Sequence, residues 1–165
     1  MKALVTGATG FIGSNVARAL WQAGFQVKAL LREDSSHLNI RDLDLELAYG
    51  DIRDASSVDA ALEGCESVFH VAAFYTFWAR DTREIYRTNV EGTRNIMEGA
   101  LRKGIGRVVY TSTVSTIRPP APGQVSNEEA YPQQRDLVGH YKRSKYQAEQ
   151  VALDFCQRGL EVEVV

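Results

Sequence analysis

Cysteine, histidine and proline are scarce in this chain of 165 residues, and positive charge is not in excess. Its 2 cysteines, Cys65 and Cys156, form no C-x-x-C pair and read as reduced, buried small hydrophobes of a cytosolic protein. The 3 histidines, His37, His70 and His140, are scattered, with no H-E-x-x-H pair or Cys/His cluster, so no metal site is expected. With 19 Lys and Arg against 21 Asp and Glu, the formal net charge is −2. That balance lacks the basic face that a nucleic acid or anionic membrane demands, and neither is an expected partner. No apolar run approaches the roughly 18 residues that cross a bilayer. The opening Met1–Gly7 run reads as a strand, so no secretory leader is expected.

What the chain does have is apolar content, 44% of its residues. One self-sufficient core is within reach of this length, and two domains are not. Apolar, β-branched runs near 2–6, 26–31, 44–49, 66–71, 107–112 and 161–165 read as strands. Helical patterns cover 11–23, 55–62, 82–103 and 140–157. Within 82–103, Ile85, Asn89, Val90, Thr93, Ile96, Met97, Ala100 and Leu101 recur at three-to-four-residue spacing, and Gly104 supplies a stop. Strands separated by helices imply βαβ units and a parallel sheet with right-handed crossovers. All 4 prolines (Pro119, Pro120, Pro122, Pro132) fall between the fifth strand and the last helix. Residues 114–139 are therefore expected to form an irregular loop on the ligand side of the sheet. The last strand-like run, Glu161 to Val165, invites a covering helix, and the chain is expected to be the N-terminal portion of a longer protein.

Between the first strand and first helix lies Thr6-Gly7-Ala8-Thr9-Gly10-Phe11-Ile12-Gly13. Gly7 permits a tight turn, Gly10 admits a pyrophosphate close to the backbone, and Gly13 allows close helix–strand packing. The helix N-terminus then offers free N–H groups to the anion. No Lys-Ser/Thr follows the glycines, which excludes a nucleoside triphosphate P-loop. At the end of the second strand a NAD enzyme usually carries an acid on the ribose. Here Leu31 stands near that place and Arg32 follows, so NADP is the expected cofactor, with NAD the alternative. In Gly50-Asp51-Ile52-Arg53-Asp54, Asp51 is a candidate acceptor for the adenine amino group, with the Ile52 N–H donating to the ring. Asp51 or Asp54 is equally a cap for the helix at Ala55.

Tyr141 and Lys145 stand four apart on a helix and so share a face. An ammonium about 4 Å from a phenol contributes roughly 4 kcal/mol at an effective dielectric of about 20. That would draw the tyrosine pKa from about 10 toward 7 and make it a competent acid or base. Hydroxyls at Thr111, Ser112 and Thr113 end the fifth strand, with Thr111 and Thr113 on one face and Ser112 on the other. One of them is placed to hold a substrate oxygen.

Taken together, TGATGFIG (6–13), GDIRD (50–54), FHVAA (69–73), TNVEGTRN (88–95), VVYTSTV (108–114) and YKRSK (141–145) resemble the extended short-chain dehydrogenase/reductase superfamily. FHVAAFYTFWARD, NVEGTRN and GHYKRSK are most similar to dihydroflavonol-4-reductase-like and hopanoid-associated sugar epimerase-like members. The resemblance implies an α/β, doubly wound parallel sheet of Rossmann type over 1–165, lacking the C-terminal substrate domain of longer relatives. It implies Thr113, Tyr141 and Lys145 as the catalytic set. It places cofactor contacts on Gly7, Thr9, Gly10, Phe11, Ile12, Gly13, Arg32, Asp51, Ile52, Ala72 and Ala73, with Tyr141 and Lys145. Asn89 is expected to brace the loop after the fourth strand. The aromatic run Phe74 to Arg80 is either a substrate wall or a hydrophobic cover. The implied activity is hydride transfer to or from a carbonyl or alcohol substrate. Two alternatives stand beside it: epimerisation or dehydration of a nucleotide sugar with bound NAD(P), and a non-catalytic dinucleotide-binding module. The helices at 82–103 and 140–157 are the implied homodimer face.

Overall fold

A computed structural model of the chain describes residues 1–76 and 78–165. Its strands are β1 (Lys2–Thr6), β2 (Gln26–Leu31), β3 (Glu46–Tyr49), β4 (Ser67–His70), β5 (Arg107–Tyr110) and β6 (Val162–Val164). All pair in parallel in the order β3-β2-β1-β4-β5-β6. The chain winds outward from β1 in one direction, then returns to its other side at β4. Helices α1 (Phe11–Gln22), α2 (Ala55–Leu62), α3 (Arg83–Tyr86), α4 (Gly92–Lys103) and α5 (His140–Gln157) fill the crossovers. This is the doubly wound sheet expected of the strand–helix alternation.

Side-chain alternation along the strands builds the two layers. Leu4, Leu30, Val68 and Val108 meet α2, α4 and α5 on one face. Ala3, Val5, Val27, Ala29 and Leu31 meet α1 on the other. Each fully buried leucine or valine among them stabilises the fold by about 1.5–3 kcal/mol. The central strands β1 and β2 are buried on both faces, so their ends are rigid supports for whatever the following turns carry.

Several expectations need correction. The pattern over 82–103 is one helical run but not one α-helix: Arg87–Glu91 forms a π-helical turn between α3 and α4. Asn89 sits in this turn with its backbone carbonyl bonded by the Thr93 hydroxyl at 2.6 Å. Its side chain meanwhile reaches away to Phe74. Gly104 ends α4 with φ 67, as expected of a left-handed stop. The fifth strand ends at Tyr110, so Thr111, Ser112 and Thr113 lie on the turn beyond it. Residues 114–139 contain two 3-10 turns, Val114–Thr116 and Gln134–Asp136, and the Arg118 N–H donates to the Ala130 carbonyl at 2.8 Å. Cys65 is half-buried, but Cys156 is exposed because the buried stripe of α5 runs through Ala148, Val151, Ala152 and Phe155 and stops one residue short of it. Among the described residues no helix is long and apolar enough to cross a membrane. None of their His, Cys, Asp and Glu groups is arranged to hold a metal.

Candidate active site

Strand order reverses between β1 and β4, and a groove opens there beyond the carboxyl ends of the strands. The cavity has a volume of about 1060 Å³. The turn after β1 forms its floor. Gly7 adopts φ +72, and a Cβ there would stand 2.8 Å from the Ala72 nitrogen. A Cβ on Gly13 would stand 2.1 Å from the Gly7 carbonyl oxygen, so α1 can approach β1 this closely only without one. Gly10 is different: an added Cβ meets nothing nearer than the Gly7 oxygen at 3.4 Å. It precedes α1 with no side-chain cap, leaving the helix's first-turn N–H groups to the groove. Thr9, Phe11 and Ile12 line the same cavity, which places the whole expected turn against it. Asn39 steadies the turn by donating to the Thr9 carbonyl at 2.8 Å.

Arg32 lines one end of the groove, exposed and 3.5 Å from the Asp34 carboxylate. Asp51 and Ile52 line it too, but Asp51 is engaged. It accepts from the Arg53 backbone N–H at 2.9 Å and from the guanidinium at 2.7 Å, which holds its carboxyl below the usual range. The same guanidinium reaches Glu84 at 2.6 Å, tying the β3–α2 turn to α3 across the groove. Of the two candidate caps, Asp54 is the one that caps α2, accepting from the Ser56 N–H at 3.0 Å. Arg53 and Glu84 carried no signal in the sequence because their pairing spans 31 residues.

Thr113, Tyr141 and Lys145 line the other end, together with Ala72 and Ala73 from the loop after β4. Tyr141 sits in the first turn of α5 and lines the groove with Thr113. The expectation that Lys145 draws the phenol toward neutrality is not met. Burial pushes the Tyr141 pKa up, the Thr113 hydroxyl opposes it, and the neighbouring Tyr75 raises it further. The Lys145 ammonium is directed elsewhere, donating to the Tyr110 phenol at 2.8 Å and the Thr111 carbonyl at 2.7 Å. Spacing placed Tyr141 and Lys145 on one helix face but was silent about what else faces that lysine.

Two clamps shape this end. Glu149, one helical turn past Lys145, accepts from the Ser112 hydroxyl and from Thr116 Oγ1 at 2.8 Å, fixing the turn that carries Thr113. The i,i+4 spacing of Lys145 and Glu149 was the available hint. Asn89 accepts from the Phe74 N–H at 2.6 Å and donates to the Phe74 carbonyl at 3.2 Å and to Ser144 at 2.9 Å. That braces the loop after β4 as expected. In the aromatic run, Tyr75 packs edge-on against Tyr141 with centroids 4.9 Å apart, and Trp78 is exposed. Phe77 lies outside the described residues.

The residues present fit a dinucleotide: one groove joins the glycine turn to the tyrosine and lysine, and the Cβ direction at Gly10 is open. Comparison with known proteins agrees. The model of the NAD dependent epimerase/dehydratase family matches residues 3–165. The putative dihydroflavonol 4-reductase of Synechocystis sp. is 43% identical over 161 residues, covering 98% of this chain and 47% of the relative. The crystal structure of gox2253 superposes with a TM-score of 0.92 at 40% identity, covering 98% of this chain and 49% of that one. The UDP-glucose 4-epimerase of Thermus thermophilus, solved in complex with NAD, gives a TM-score of 0.85 at 26% identity, covering 99% and 54%. The chain spans about half the length of these proteins.

Proposed function

Because this chain belongs to the NAD dependent epimerase/dehydratase family, we propose that it serves as the dinucleotide-binding and acid–base part of an NADP-preferring reductase of small carbonyl or alcohol substrates. The observation that carries the reading is the meeting of Thr113, Tyr141 and Lys145 with the glycine turn around one groove. When bound, the nicotinamide supplies or accepts the hydride. The chain's own residues manage the proton and the geometry. Tyr141, its pKa raised by burial, is a protonated phenol at neutral pH and gives that proton to a carbonyl oxygen as it becomes an alcohol. Thr113 orients the phenol and the substrate oxygen through its hydroxyl. The buried Lys145 ammonium offsets the negative charge left on the phenolate and offers a donor to the ribose. Arg32 supports NADP over NAD, since a guanidinium matches a phosphate ester bidentately.

Cytosolic residence is part of the same proposal, supported by free rather than disulfide-bonded Cys65 and Cys156. For a homodimer, the supporting feature is a shallow groove between the π turn with α4 and α5, lined by Val90, Arg94, Gln147 and Val151 among others. A second reading, nucleotide-sugar epimerisation with bound NAD, is favoured by the likeness to the Thermus epimerase.

Stoichiometry decides between the two. A panel of ketones and aldehydes with NADPH should show net cofactor oxidation, lowered at least about 100-fold by Tyr141→Phe. Turnover that leaves the cofactor unchanged would support the epimerase instead, and full turnover in Tyr141→Phe would remove the acid–base assignment.

A further inference from the structure

Beneath the groove lies a run of buried polar side chains that the chemistry above does not use. Thr6, His70, Thr93 and Tyr110 are each no more than 1% exposed, and Lys145 is 3% exposed. Thr6 Oγ1 lies 2.7 Å from His70 Nδ1, and His70 Nε2 lies 2.9 Å from Thr93 Oγ1. The Tyr110 phenol oxygen accepts from the Lys145 ammonium at 2.8 Å.

Counting donors fixes the direction of the bonds along Thr6, His70 and Thr93. Thr6 Oγ1 already accepts from the Val71 and Ala72 N–H groups at 3.2 and 3.1 Å. A hydroxyl oxygen has two lone pairs and one hydrogen, so Thr6 must donate to His70 Nδ1. His70 therefore carries its proton on Nε2 and donates it to Thr93. The Thr93 hydrogen is committed to the Asn89 carbonyl at 2.6 Å. An ammonium can only donate, so the Tyr110 oxygen accepts from Lys145. No second proton on His70 fits this arrangement, and burial together with the Lys145 charge holds its pKa down to about 3.

We propose that Tyr110 is a positioning residue for Lys145, its phenol oxygen accepting from the ammonium, so that the ammonium is anchored at two N–H groups with the third left for a ligand in the groove. Thr111 supplies the second anchor through its backbone carbonyl, a partner that no side-chain change removes. The Tyr110 ring lies under the ammonium as well, 4.4 Å from centroid to nitrogen. The inference rests on the assignment of Lys145 to the active site, because its value to the protein is to fix that donor.

The test reads Lys145 directly. Its ammonium is faced by Tyr110 from β5, His70 from β4, and Tyr141 and Glu149 from its own helix. Burial lowers its pKa to about 8, with Glu149 opposing. NMR titration of the labelled lysine side chains in the whole 165-residue chain, without cofactor, gives the midpoint. Tyr110→Phe keeps the ring and removes the acceptor, so the midpoint should fall by about one pH unit, the scale of one hydrogen bond to a charged group. Tyr110→Met also lacks the acceptor and should lower the midpoint likewise, which carries the test where Tyr110→Phe does not fold. A wild-type midpoint in either folded variant overturns the proposal. Dinucleotide binding is scored separately: its absence defeats the proposed function and leaves the titration to decide the anchoring of Lys145.

Discussion

His70 gives the fold a pH dependence that can be worked out in sign. Its ordinary pKa is 6.5 and its folded value is about 3, so the folded state refuses a proton that the unfolded state accepts. Above pH 6.5 neither state is protonated there and nothing is lost. Below it, stability declines at about 1.4 kcal/mol per pH unit until the folded value is reached. Urea unfolding should therefore show about 2 kcal/mol less stability at pH 5 than at pH 7. His70→Asn should lose that part of the slope. An unchanged slope would mean that the imidazole is not held neutral. The depressed carboxylates Asp42, Glu46 and Asp51 act in a lower window, since their stabilisation is lost only as pH falls below the ordinary carboxylate range. At this scale the sequence named Tyr141, Lys145 and Thr113 through spacing and resemblance, and the structure brings them to one groove. It could not name Tyr110 as the partner of Lys145, because that contact joins residues 35 apart and depends on how α5 lies across β5.

Individual elements were legible where one local rule governed them. β1, β2, α2 and α5 have the boundaries that periodicity and turn residues implied. The turn after β1 was legible for the same reason, and it carries a sharp expectation. Gly13→Ala would set a methyl against the Gly7 carbonyl, an overpacking cost of about 1–3 kcal/mol that thermal unfolding would register as a lowered Tm. The π turn at Arg87–Glu91 was not legible, since the three-to-four-residue apolar spacing there reads like that of an α-helix. Asn89→Ala would strand the Phe74 N–H and carbonyl. A loss of about 1–3 kcal/mol is expected, with faster hydrogen exchange at Phe74 and its neighbours than in α4. Equal protection of that loop in the variant would show that Asn89 does not brace it.

For the molecule as a whole, the strand–helix alternation implied a parallel doubly wound sheet, and resemblance implied what its groove holds. Long-range pairings were beyond reach: the Arg53 bridge to Glu84, the Glu149 clamp and the buried chain under the groove all arise from the packed layers. The central claim is that the groove at the β1–β4 switch point receives a dinucleotide whose reactive end meets Tyr141. Gly10 offers the cleanest probe, because its Cβ direction opens on the groove and its φ of −78 suits any residue. Calorimetric titration of NADPH into the folded chain should show a single site, weaker binding of NADH, and loss of binding in Gly10→Val with the unfolding midpoint kept. Failure of the folded wild-type chain to bind either nucleotide, or binding undiminished in Gly10→Val, would contradict it.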